Sequence, residues 1–411
     1  MRRSGDEVSA SCAGETSREV LAFLSDPRHY PGHPRRLGVV ETHFAWVFLA
    51  GAHAYKLKKP TRQSWMDYRT LASRERGCRS ELRLNRRLAP RVYLRVIALR
   101  RARDGRLALG RGGATVDWLV KMRRLARHRM LDHAVASGSV RGVDLDRVAA
   151  HLVRFFRRAA RRPLTDRAYL ARERAQIMAN ARELAARDLG LAPESVQAVC
   201  AAQLAFLAGE RGALARRGAR VRDGHGDLRP EHVFLGTAEE ETCIIDCLEF
   251  NADLRRLDPA EEMAFLALEC RRLGADHVAS GLIERYRRAL ADPVSDAIVE
   301  FYMSRRALTR AQIAAWHLRD PDFATERREW LKRTYSYLDD ALRHIRAALR
   351  ASRRSTLSRP AARRGRSASA GAPARRSGVD ARDPLAPPRR RASARSAGVR
   401  HAAAREMPVR P

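Results

Sequence analysis

The sequence has few of the features that mark membrane-spanning or secreted proteins. Across its 411 residues, no apolar run approaches the roughly 18 residues that a helix needs to cross a bilayer. The first residues, MRRSGDEVSASC, contain no apolar segment of the kind found in secretory signals. Six cysteines spread over a chain of this length do not suggest a disulfide framework. We therefore expect a reduced, cytoplasmic protein that has no membrane partner.

Lysine is also scarce, since 76 of the 81 basic residues are Arg and only 5 are Lys. A net charge of +34 would ordinarily indicate a nucleic-acid partner. Abundant Arg and Ala also reflect a GC-rich coding bias, however, so the charge by itself predicts little. Positions that keep Lys are informative in such a chain, because a compact ammonium binds differently from a planar guanidinium. Three of the lysines lie together at Lys56, Lys58 and Lys59.

Glycine is sparse in the N-terminal region, which weakens the case for a glycine-rich phosphate loop. A GxxxxGK[ST] motif is absent from the sequence, so the chain contains no Walker-type nucleotide-binding domain. Gly51 lies between two strand-like segments, at a place where a turn that covers phosphates would be expected.

The pattern of apolar residues predicts an α+β protein with a sheet-rich N-terminal part and a larger helical part. Residues 37–60 are rich in Val, Phe, Trp and Tyr and predict two strands joined by a turn. Residues 70–89 have the apolar spacing of an amphipathic helix. Helical patterns dominate from about residue 144, and one strand-like segment interrupts them at residues 220–250. The predicted helices cover 145–161, 166–188, 193–217, 259–273, 276–291, 294–317 and 323–350.

Residues 351–411 differ from the rest of the chain because they are rich in Arg and have almost no large apolar side chains. Such a segment cannot bury enough surface to offset chain entropy, so we predict it to be disordered. It could be a tail that binds nucleic acid or a dispensable extension, and its composition favours the second interpretation. The predicted division of the chain is therefore 1–124, 125–350 and 351–411.

Two aspartates lie on a predicted hairpin within RVRDGHGDLRPEHVFLGTAEEETCIIDCLEFN, residues 220–251. Asp227 precedes the first strand and Asp246 ends the second. If the strands pair across the polar turn, residues near 231–232 lie opposite residues near 245–246. One carboxylate can then orient and deprotonate a hydroxyl while the other holds Mg²⁺ against nucleotide phosphates. The pattern favours phosphoryl transfer.

The segments HGDLRPEHVFL and IIDCLEFN resemble the catalytic and metal-binding loops of the aminoglycoside phosphotransferase-like enzymes, which are small-molecule kinases with a protein-kinase-like fold. ETHFAWVFLAGAHAYKLKKP and SELRLNRRLAP resemble nucleotide-lobe segments of an uncharacterised branch of this family, so the resemblance spans roughly residues 37–270. It implies a bilobal fold with a nucleotide lobe at 1–124 and a helical lobe at 125–350. It also implies ATP or GTP as phosphate donor, Mg²⁺ as cofactor and a small-molecule hydroxyl as acceptor.

The resemblance assigns roles to individual residues. Asp227 matches the catalytic Asp that orients the acceptor hydroxyl, and Asp246 matches the Asp that binds Mg²⁺. Lys56 matches the strand Lys that reaches the nucleotide phosphates, and Lys58 on the same strand face is an open alternative. Glu81 matches the helix Glu that pairs with this lysine.

Further positions match the adenine-binding segment and the support of the catalytic loop. Residues 120–123 resemble the hinge that meets adenine, which makes Val120 and Met122 candidates for nucleotide binding. His225 would support the catalytic loop through hydrogen bonds, and Asp258 matches a downstream Asp that buttresses the same loop.

One position departs from the family pattern. The family usually places Asn five residues after the catalytic Asp as a second metal ligand, and here that position is His232. Imidazole is a poorer ligand for Mg²⁺ than a carbonyl oxygen, so His232 is a doubtful ligand. Asp246 could hold the metal alone, or Glu231 or Glu249 could assist, and the sequence leaves these alternatives open.

Other interpretations compete with the kinase. A zinc site from His225, His232, Cys243 and Cys247 is disfavoured because the Cys-x3-Cys pair lies on a strand and the His spacing is loose. A catalytically silent kinase-like module would bind nucleotide without transferring phosphate, and a nucleic-acid binder would use the Arg-rich tail. Residues 223–269 carry 13 acids against 3 Arg, which is expected around a metal and would also suit a cationic acceptor.

Overall fold

The computed structural model of the protein describes residues 18–63, 66–110, 112–319 and 325–357. Its last helix continues to Leu357, so the first residues of the segment predicted to be disordered are helical. The rest of that segment, residues 358–411, lies outside the described residues.

A curled antiparallel sheet forms the N-terminal lobe. Its strands are β1 (Leu37–Glu41), β2 (Ala45–Ala50), β3 (His53–Lys58), β6 (Tyr93–Arg101), β7 (Leu107–Leu109) and β8 (Ala114–Arg123). A separate ribbon consists of β4 (Arg62–Gln63) and β5 (Met66–Asp67). The strand order of the six-stranded sheet is β1-β2-β3-β8-β6-β7, so β3 lies at its centre.

Strand β3 presents two chemically different faces, because successive side chains of a strand point to opposite sides of the sheet. Tyr55 and Leu57 are buried on the outer face, where they pack in one apolar cluster with the helical residues 18–24. Lys56 and Lys58 lie on the opposite face, which is turned toward the rest of the molecule. The buried outer face therefore fixes the orientation of both lysines.

The segment 37–60 contains three strands rather than the two predicted, because an additional turn interrupts it at residues 42–44. The Thr42 hydroxyl donates to the carbonyl of Ala45 at 2.9 Å and accepts the N–H of the same residue at 3.0 Å. These bonds close the turn without a glycine. The predicted turn at Gly51 is also present, between β2 and β3, and Gly51 adopts a φ of +58° there.

Helix α1 (Leu71–Asn85) packs on the inner face of the sheet and carries Glu81 toward the lysines. The close approach of helix and sheet depends on Gly77. A Cβ atom at this position would lie 2.7 Å from the Tyr68 ring and 3.1 Å from Cδ of Lys58. Any side chain at position 77 would therefore push α1 away from β3.

The rest of the molecule is a helical lobe around one large apolar core. Its helices are α2 (Leu131–Ala136), α3 (Gly142–Arg158), α4 (Asp166–Leu184), α5 (Pro193–Gly209), α6 (Arg211–Ala215), α7 (Pro259–Arg272), α8 (Asp276–Leu290), α9 (Asp296–Trp316) and α10 (Arg327–Leu357). Most of these bounds agree with the predicted helices to within a few residues. The predicted helix 193–217 is divided in two, because the backbone leaves helical geometry at Glu210 (φ −99°, ψ 22°).

The predicted hairpin is embedded in the helical lobe. It consists of β10 (Val233–Phe234) and β11 (Cys243–Ile244), with Val233 opposite Ile244. Beyond the paired strands, the N–H of Ile245 donates to the carbonyl of His232 at 2.9 Å, which confirms the predicted register. In a second short ribbon, β9 (Arg222–Asp223) pairs with β12 (Arg256–Leu257). These two strands precede and follow the hairpin in the sequence.

These elements confirm the predicted α+β class, with a sheet lobe and a larger helical lobe in the bilobal arrangement expected of a protein-kinase-like fold. Strand β8 ends at Arg123, and the division of the chain at residue 124 stays a prediction. Within the part of the chain that the structure describes, no helix is both long and apolar enough to cross a bilayer.

A buried arginine joins three segments of the helical lobe. Arg217 donates to Asp258 at 2.6 and 2.8 Å and to Asp292 at 2.6 and 2.7 Å. Hydroxyl groups of Tyr302 and Tyr286 donate to the same two carboxylates. All five residues are buried, so the loss of the guanidinium would leave two carboxylates in an apolar environment without their main hydrogen-bond donor.

We expect Arg217→Met to destabilise the protein by about 3–5 kcal/mol, because it leaves buried carboxylates uncompensated. Arg216→Met changes an exposed neighbour and is the matched control, with an expected change below about 0.5 kcal/mol. Urea-induced unfolding at pH 7 measures both variants. Equal stability of the two would contradict the role given to Arg217.

Candidate active site

A cavity of about 1440 Å³ lies between the sheet lobe and the helical lobe. Its walls come from β1–β3, from the segment that follows β8, from the two ends of the hairpin and from helices α4 and α9. The predicted site residues Lys56, Lys58, Asp227, His232 and Asp246 all line it. Residues that are far apart in the sequence therefore converge on one space.

Lys56 connects the sheet to the second aspartate of the hairpin. Its Nζ lies 2.7 Å from Oδ1 of Asp246 and 3.0 Å from Oε1 of Glu81. The predicted pairing of this lysine with Glu81 is present, and a direct bond to Asp246 accompanies it. The side chain keeps 15% of its surface exposed, on the side of the cavity.

Lys58 forms a second set of ion pairs deeper in the molecule. Its Nζ lies 2.6 Å from Oε2 of Glu81 and 2.5 Å from Oε1 of Glu249, and only 2% of the side chain is exposed. The Tyr68 hydroxyl donates to the same oxygen of Glu249 at 3.0 Å. Glu81 thus receives one lysine on each carboxylate oxygen, and Glu249, a candidate metal ligand, is already engaged by Lys58.

These ion pairs keep the site ionised despite its burial. Burial alone would lower the pKa of Lys56, but the carboxylates of Asp246 and Glu81 raise it well above its ordinary value. Burial would raise the pKa of Asp246, but the charge of Lys56 and that of His232 hold it well below its ordinary value. The lysine and the aspartate are therefore charged across the physiological pH range.

Asp246 is held in a backbone conformation that L-residues rarely adopt, with a φ of +62°. Three side chains or backbone groups fix the surrounding loop. The Tyr93 hydroxyl accepts the N–H of Asp246 at 3.1 Å, and Oδ1 of Asn85 accepts the N–H of Cys247 at 2.8 Å. The carbonyl of His225 accepts the N–H of the next residue, at 3.1 Å. These contacts aim the carboxylate into the cavity.

The first aspartate of the hairpin, Asp227, lies 17% exposed at the cavity wall. Nε of the buried Arg229 donates to its Oδ2 at 3.1 Å. Burial would raise the pKa of Asp227, but the charges of Arg229, His232 and Arg310 outweigh it and hold the pKa below the ordinary value. Asp227 is therefore an ionised hydrogen-bond acceptor that faces the cavity.

His232 lies between the two aspartates. Its Nδ1 is 2.8 Å from the carbonyl oxygen of Asp227 and donates to it, so Nε2 is the nitrogen that has a lone pair whenever the ring is neutral. That Nε2 is 3.6 Å from Oδ2 of Asp246. The imidazole thus presents a nitrogen donor at the position where the family places an amide oxygen.

His225 supports both loops from beneath, as predicted from the resemblance. Its Nε2 donates to the carbonyl of Ile245 at 2.9 Å, and its Nδ1 accepts the N–H of Asp227 at 3.3 Å. Burial, together with the nearby His232, lowers the pKa of His225 to about 3, so the ring is neutral. Gly226 follows with a φ of +92°, where a Cβ would lie 2.9 Å from Leu248.

The carboxylate that contacts the catalytic loop directly is Glu262 of α7, which the sequence reasoning missed. It accepts the N–H of His225 at 2.8 Å and that of Gly226 at 2.6 Å. Asp258, predicted to buttress this loop, lies one turn earlier, where its side chain caps α7 and binds Arg217. The spacing of four residues between Asp258 and Glu262 is a helical signal that could have found the second carboxylate.

The other residues missed by sequence reasoning are Asn85, Tyr93 and the Glu249–Tyr68 pair. Asn85 lies one helical turn after Glu81, so it occupies the same face of α1 and could have been found by that spacing. Nothing in the local sequence distinguishes Tyr93 or Tyr68 from other aromatic residues of strands and turns.

The end of the cavity that was expected to bind adenine is lined from Met122 to Arg127. Met122 thus lines the cavity, and its role in nucleotide binding stays a prediction. Val120 is not among the lining residues, because it points into the apolar cluster beneath α1, where it is fully buried. The turn at 42–44 also reaches the cavity, whereas Gly51 does not line it, so the turn that borders the cavity lacks glycine.

The side chains that line the cavity suit a hard cation that is bound by few protein ligands, and they do not suit a metal ion that is fully enclosed by protein ligands. Among the described residues no group of three or more His, Cys, Asp or Glu side chains is arranged to hold a metal ion. Mg²⁺ usually takes only one or two carboxylates and completes its shell with water and phosphate oxygens. Asp246, with its side chain 38% exposed to the cavity, fits that requirement. Glu231 is bound to Arg229 at 2.6 Å.

The chain is similar in sequence to proteins that are themselves uncharacterised. It is 31% identical over 283 residues to an uncharacterised protein of Mycobacterium tuberculosis (strain H37Rv) and, equally, to one of Mycobacterium bovis. Each match covers 67% of this chain and 54% of the relative, so the chain spans about half the length of the curated relatives that it matches. No protein-family model matches the chain.

Several solved structures that resemble the chain are those of small-molecule kinases. A choline/ethanolamine kinase family protein from Mesorhizobium loti has a TM-score of 0.46 and 14% identity, and the match covers 81% of this chain and 99% of that one. A choline kinase from Cryptosporidium parvum has a TM-score of 0.47 and 10% identity, over 81% and 96% of the two chains. An aminoglycoside phosphotransferase from Streptomyces rimosus has a TM-score of 0.42 and 20% identity, over 71% and 98%. TM-scores and sequence identities this low do not establish an activity, so the activity of this chain has to be argued from its own residues.

The buried Glu262 should make stability depend on pH. Burial raises its pKa to about 7 from an ordinary value of 4.5, so the folded protein keeps a proton there that the unfolded chain releases between these values. The stability contribution of the protonated form is present below about pH 4.5 and is lost as the pH rises through 7. The Glu262→Gln variant does not titrate, so it should gain up to about 3 kcal/mol relative to the wild type between pH 4.5 and pH 8.

Urea unfolding of both proteins at several pH values measures this difference. Glu284→Gln, at a position 69% exposed on α8, is the control, and its effect should stay below about 0.5 kcal/mol throughout. A difference between Glu262→Gln and wild type that does not change with pH would contradict the assigned titration.

Proposed function

We propose that the protein is a Mg²⁺-dependent small-molecule kinase that transfers the γ-phosphate of ATP or GTP to a hydroxyl group. The observation that carries the proposal is the convergence of Lys56, Asp246 and Asp227 on one cavity between the two lobes. A cation, an ionised carboxylate for a metal and an ionised carboxylate for a hydroxyl are the groups that this reaction needs.

Lys56 is the lysine best placed to bind nucleotide phosphates. It is the more exposed of the two, it lines the cavity, and its present partner Asp246 also faces the cavity. Lys58 is nearly inaccessible and is bound to two carboxylates and a tyrosine ring, so it supports the position of Glu81. The alternative that the sequence left open is therefore resolved in favour of Lys56 in this proposal.

Asp246 is the residue that would hold Mg²⁺, with the lone pair of His232 Nε2 as a weaker second donor. When bound, the ion supplies positive charge against the nucleotide phosphates and the charge that develops on them during transfer. The positive φ of Asp246 is consistent with a carboxylate that the loop holds in place before the ligand arrives.

Asp227 would orient the acceptor hydroxyl. Its lowered pKa makes it a weak base, but it also keeps the carboxylate available as a hydrogen-bond acceptor at every physiological pH. Phosphoryl transfer through a loose transition state needs little proton removal before bond formation, so positioning is the larger contribution. Arg229 restricts the carboxylate by binding Oδ2, which leaves Oδ1 as the oxygen for the acceptor.

A catalytically silent nucleotide-binding module is the second candidate. The observation that favours it is the nitrogen donor of His232 at the place of an amide oxygen, because imidazole binds Mg²⁺ poorly. Such a module would bind nucleotide without acceptor-dependent release of the diphosphate. Nucleic-acid binding was attributed to residues 351–411, and all but the first seven of these lie outside the described residues.

Asp227→Asn should lower acceptor-dependent nucleotide turnover by about 10²-fold or more, because the amide no longer offers a charged acceptor to the hydroxyl. The measurement is release of ADP or GDP with a library of hydroxyl compounds, with Mg²⁺ and with EDTA. Nucleotide affinity, measured by calorimetry, should stay within a few-fold of the wild type. Asp104→Asn, in an exposed turn, is the control for the charge change.

Turnover by Asp227→Asn equal to that of the wild type would remove Asp227 from the mechanism. Nucleotide binding by the wild type without turnover of any library member would favour the silent module. Turnover that persists in EDTA would contradict the metal dependence.

The two lysines should respond differently to substitution by Met. Lys56→Met should weaken nucleotide binding by about 10- to 100-fold, the worth of one charge-assisted hydrogen bond. Its effect on stability should be smaller, since Glu81 keeps Lys58. Lys58→Met should lower stability by about 3–5 kcal/mol, because Glu81 and Glu249 lose a buried partner. Calorimetry with ADP and urea unfolding separate the two effects, and the reverse pattern would exchange the assigned roles.

A further inference from the structure

The cavity continues beyond Asp227 into a region that nucleotide would not fill. This region lies between α4 and α9 and the loop after the second hairpin strand, on the side of Asp227 away from the sheet. In the proposed function it is the place where the acceptor binds, so its chemistry bears on what the acceptor is. The inference that follows rests on that proposed function.

Arginines outnumber carboxylates among the charged side chains of this region. Those that line it are Arg172, Arg182, Arg256, Arg305, Arg306 and Arg310. The carboxylates of the same region are Glu183, Asp227, Glu231, Asp253 and Glu261. The side chains that line this region therefore have a positive net charge, whereas the local sequence at 223–269 predicted a negative one.

Some of these arginines are neutralised by buried carboxylates. Arg305 lies 2.8 Å from Glu173 and also contacts Glu261, and Arg306 lies 2.8 Å from Glu261. These two arginines and two glutamates form a balanced cluster at the floor of the region. Arg256 is likewise balanced, by Asp253 at 2.7 Å.

Two arginines of α4 add positive charge to this balance. Arg172 donates to the backbone carbonyl of Arg256 at 2.5 Å, and its charge acts on the nearby Glu173 and Glu261. With Arg305 and Arg306, three arginines therefore face two glutamates. Arg182 has no acidic partner among the described residues, since the neighbouring Glu183 is bound to Arg319 at 3.4 Å. Both line the cavity, although Arg182 is also exposed to solvent at the rim.

The positions of these two arginines suit a ligand of moderate size. Ten residues of helix separate them, which is about 15 Å along the axis of α4. Gln176 and Ala179 line the wall between them and offer a polar and an apolar surface for a carbon skeleton. Arg310 lies near the catalytic Asp227 at the inner end, where its charge helps to lower the pKa of that carboxyl.

We propose that the acceptor is a hydroxyl compound that carries an anionic group, a carboxylate or a phosphate, which Arg172 binds and which Arg182 attracts from the rim of the cavity. Guanidinium groups bind both anions through paired hydrogen bonds of fixed geometry. In a cavity partly shielded from water, the same charges repel an ammonium group, so they select against cationic acceptors. Among the acids of 223–269, Asp223, Asp258 and Glu262 are directed to buried partners. Glu231, Asp253 and Glu261 line the cavity, but each of them is bound to an arginine.

A set of compounds that share one carbon skeleton tests the proposal. Glycerate, glycerol 3-phosphate, glycerol and 2-amino-1,3-propanediol each keep free hydroxyl groups and differ in charge. The full-length protein is first saturated with ADP and Mg²⁺, so that anions do not occupy the nucleotide site. Binding is measured by calorimetry and thermal shift, and acceptor activity by ADP release from ATP.

We expect the two anions to bind at least tenfold more tightly than glycerol and the amine to bind more weakly than glycerol. Arg172→Gln should reduce the preference for the anions by about tenfold. Arg182→Gln should reduce it by less, because a three-carbon ligand at Arg172 does not reach a position about 15 Å further along the helix. Arg174→Gln, on the exposed side of α4 and outside the cavity, is the matched control and should leave the preference unchanged.

Binding that does not depend on ligand charge, binding that favours the amine, or failure of every anion to bind would each overturn the proposal. A preference for anions that is unchanged in both α4 variants would also overturn it. Glycerate and glycerol 3-phosphate together show whether the carboxylate or the phosphate is the preferred group. Anion binding that depends on α4 without any ADP release would leave this site standing and would contradict the kinase activity instead.

Discussion

The active site depends on one buried carboxylate that two lysines share. Glu81 places one oxygen against Lys56 and the other against Lys58, and it has no exposed surface. With a single lysine, one oxygen of this buried carboxylate would have no cationic partner. The second lysine, with Glu249, supplies the missing charge, so Lys56 need not be fully committed to Glu81. The arrangement leaves Lys56 able to exchange Asp246 for phosphate oxygens without leaving a buried charge unpaired.

The same helix that carries Glu81 also connects the two lobes. One turn later, Asn85 accepts the N–H of Cys247, so a shift of α1 would move both Glu81 and the loop that carries Asp246. On the other side of the hairpin, Glu262 fixes the loop that carries Asp227 through two backbone N–H groups. The two aspartates are thus held by different lobes and different helices. Their separation depends on the hairpin, whose short strands are buried on both sides.

The sequence predicted the elements whose signals are local. Most helix bounds, the hairpin register and the convergence of Lys56, Asp227 and Asp246 followed from periodicity, turn residues and a family resemblance. The partners that tune the site were not predictable in this way. Glu249 and Glu262 lie among many acids, and only the folded backbone brings them to Lys58 and to the catalytic loop. The additional strand at 37–60 was missed because a threonine, rather than a glycine, closes the turn.

The charge of the acceptor region illustrates the same limit most clearly. A count along residues 223–269 indicates an acidic site, but several of those acids, among them Asp223, Asp258 and Glu262, bind arginines or backbone amides. Most of the arginines that line the cavity beyond Asp227 come from α4 and α9, which precede and follow that segment. Since a ligand experiences only the groups that line its site, the sign of the local sequence and the sign of the cavity differ. Selection among acceptors would therefore reside in helices whose sequences carry no recognised motif.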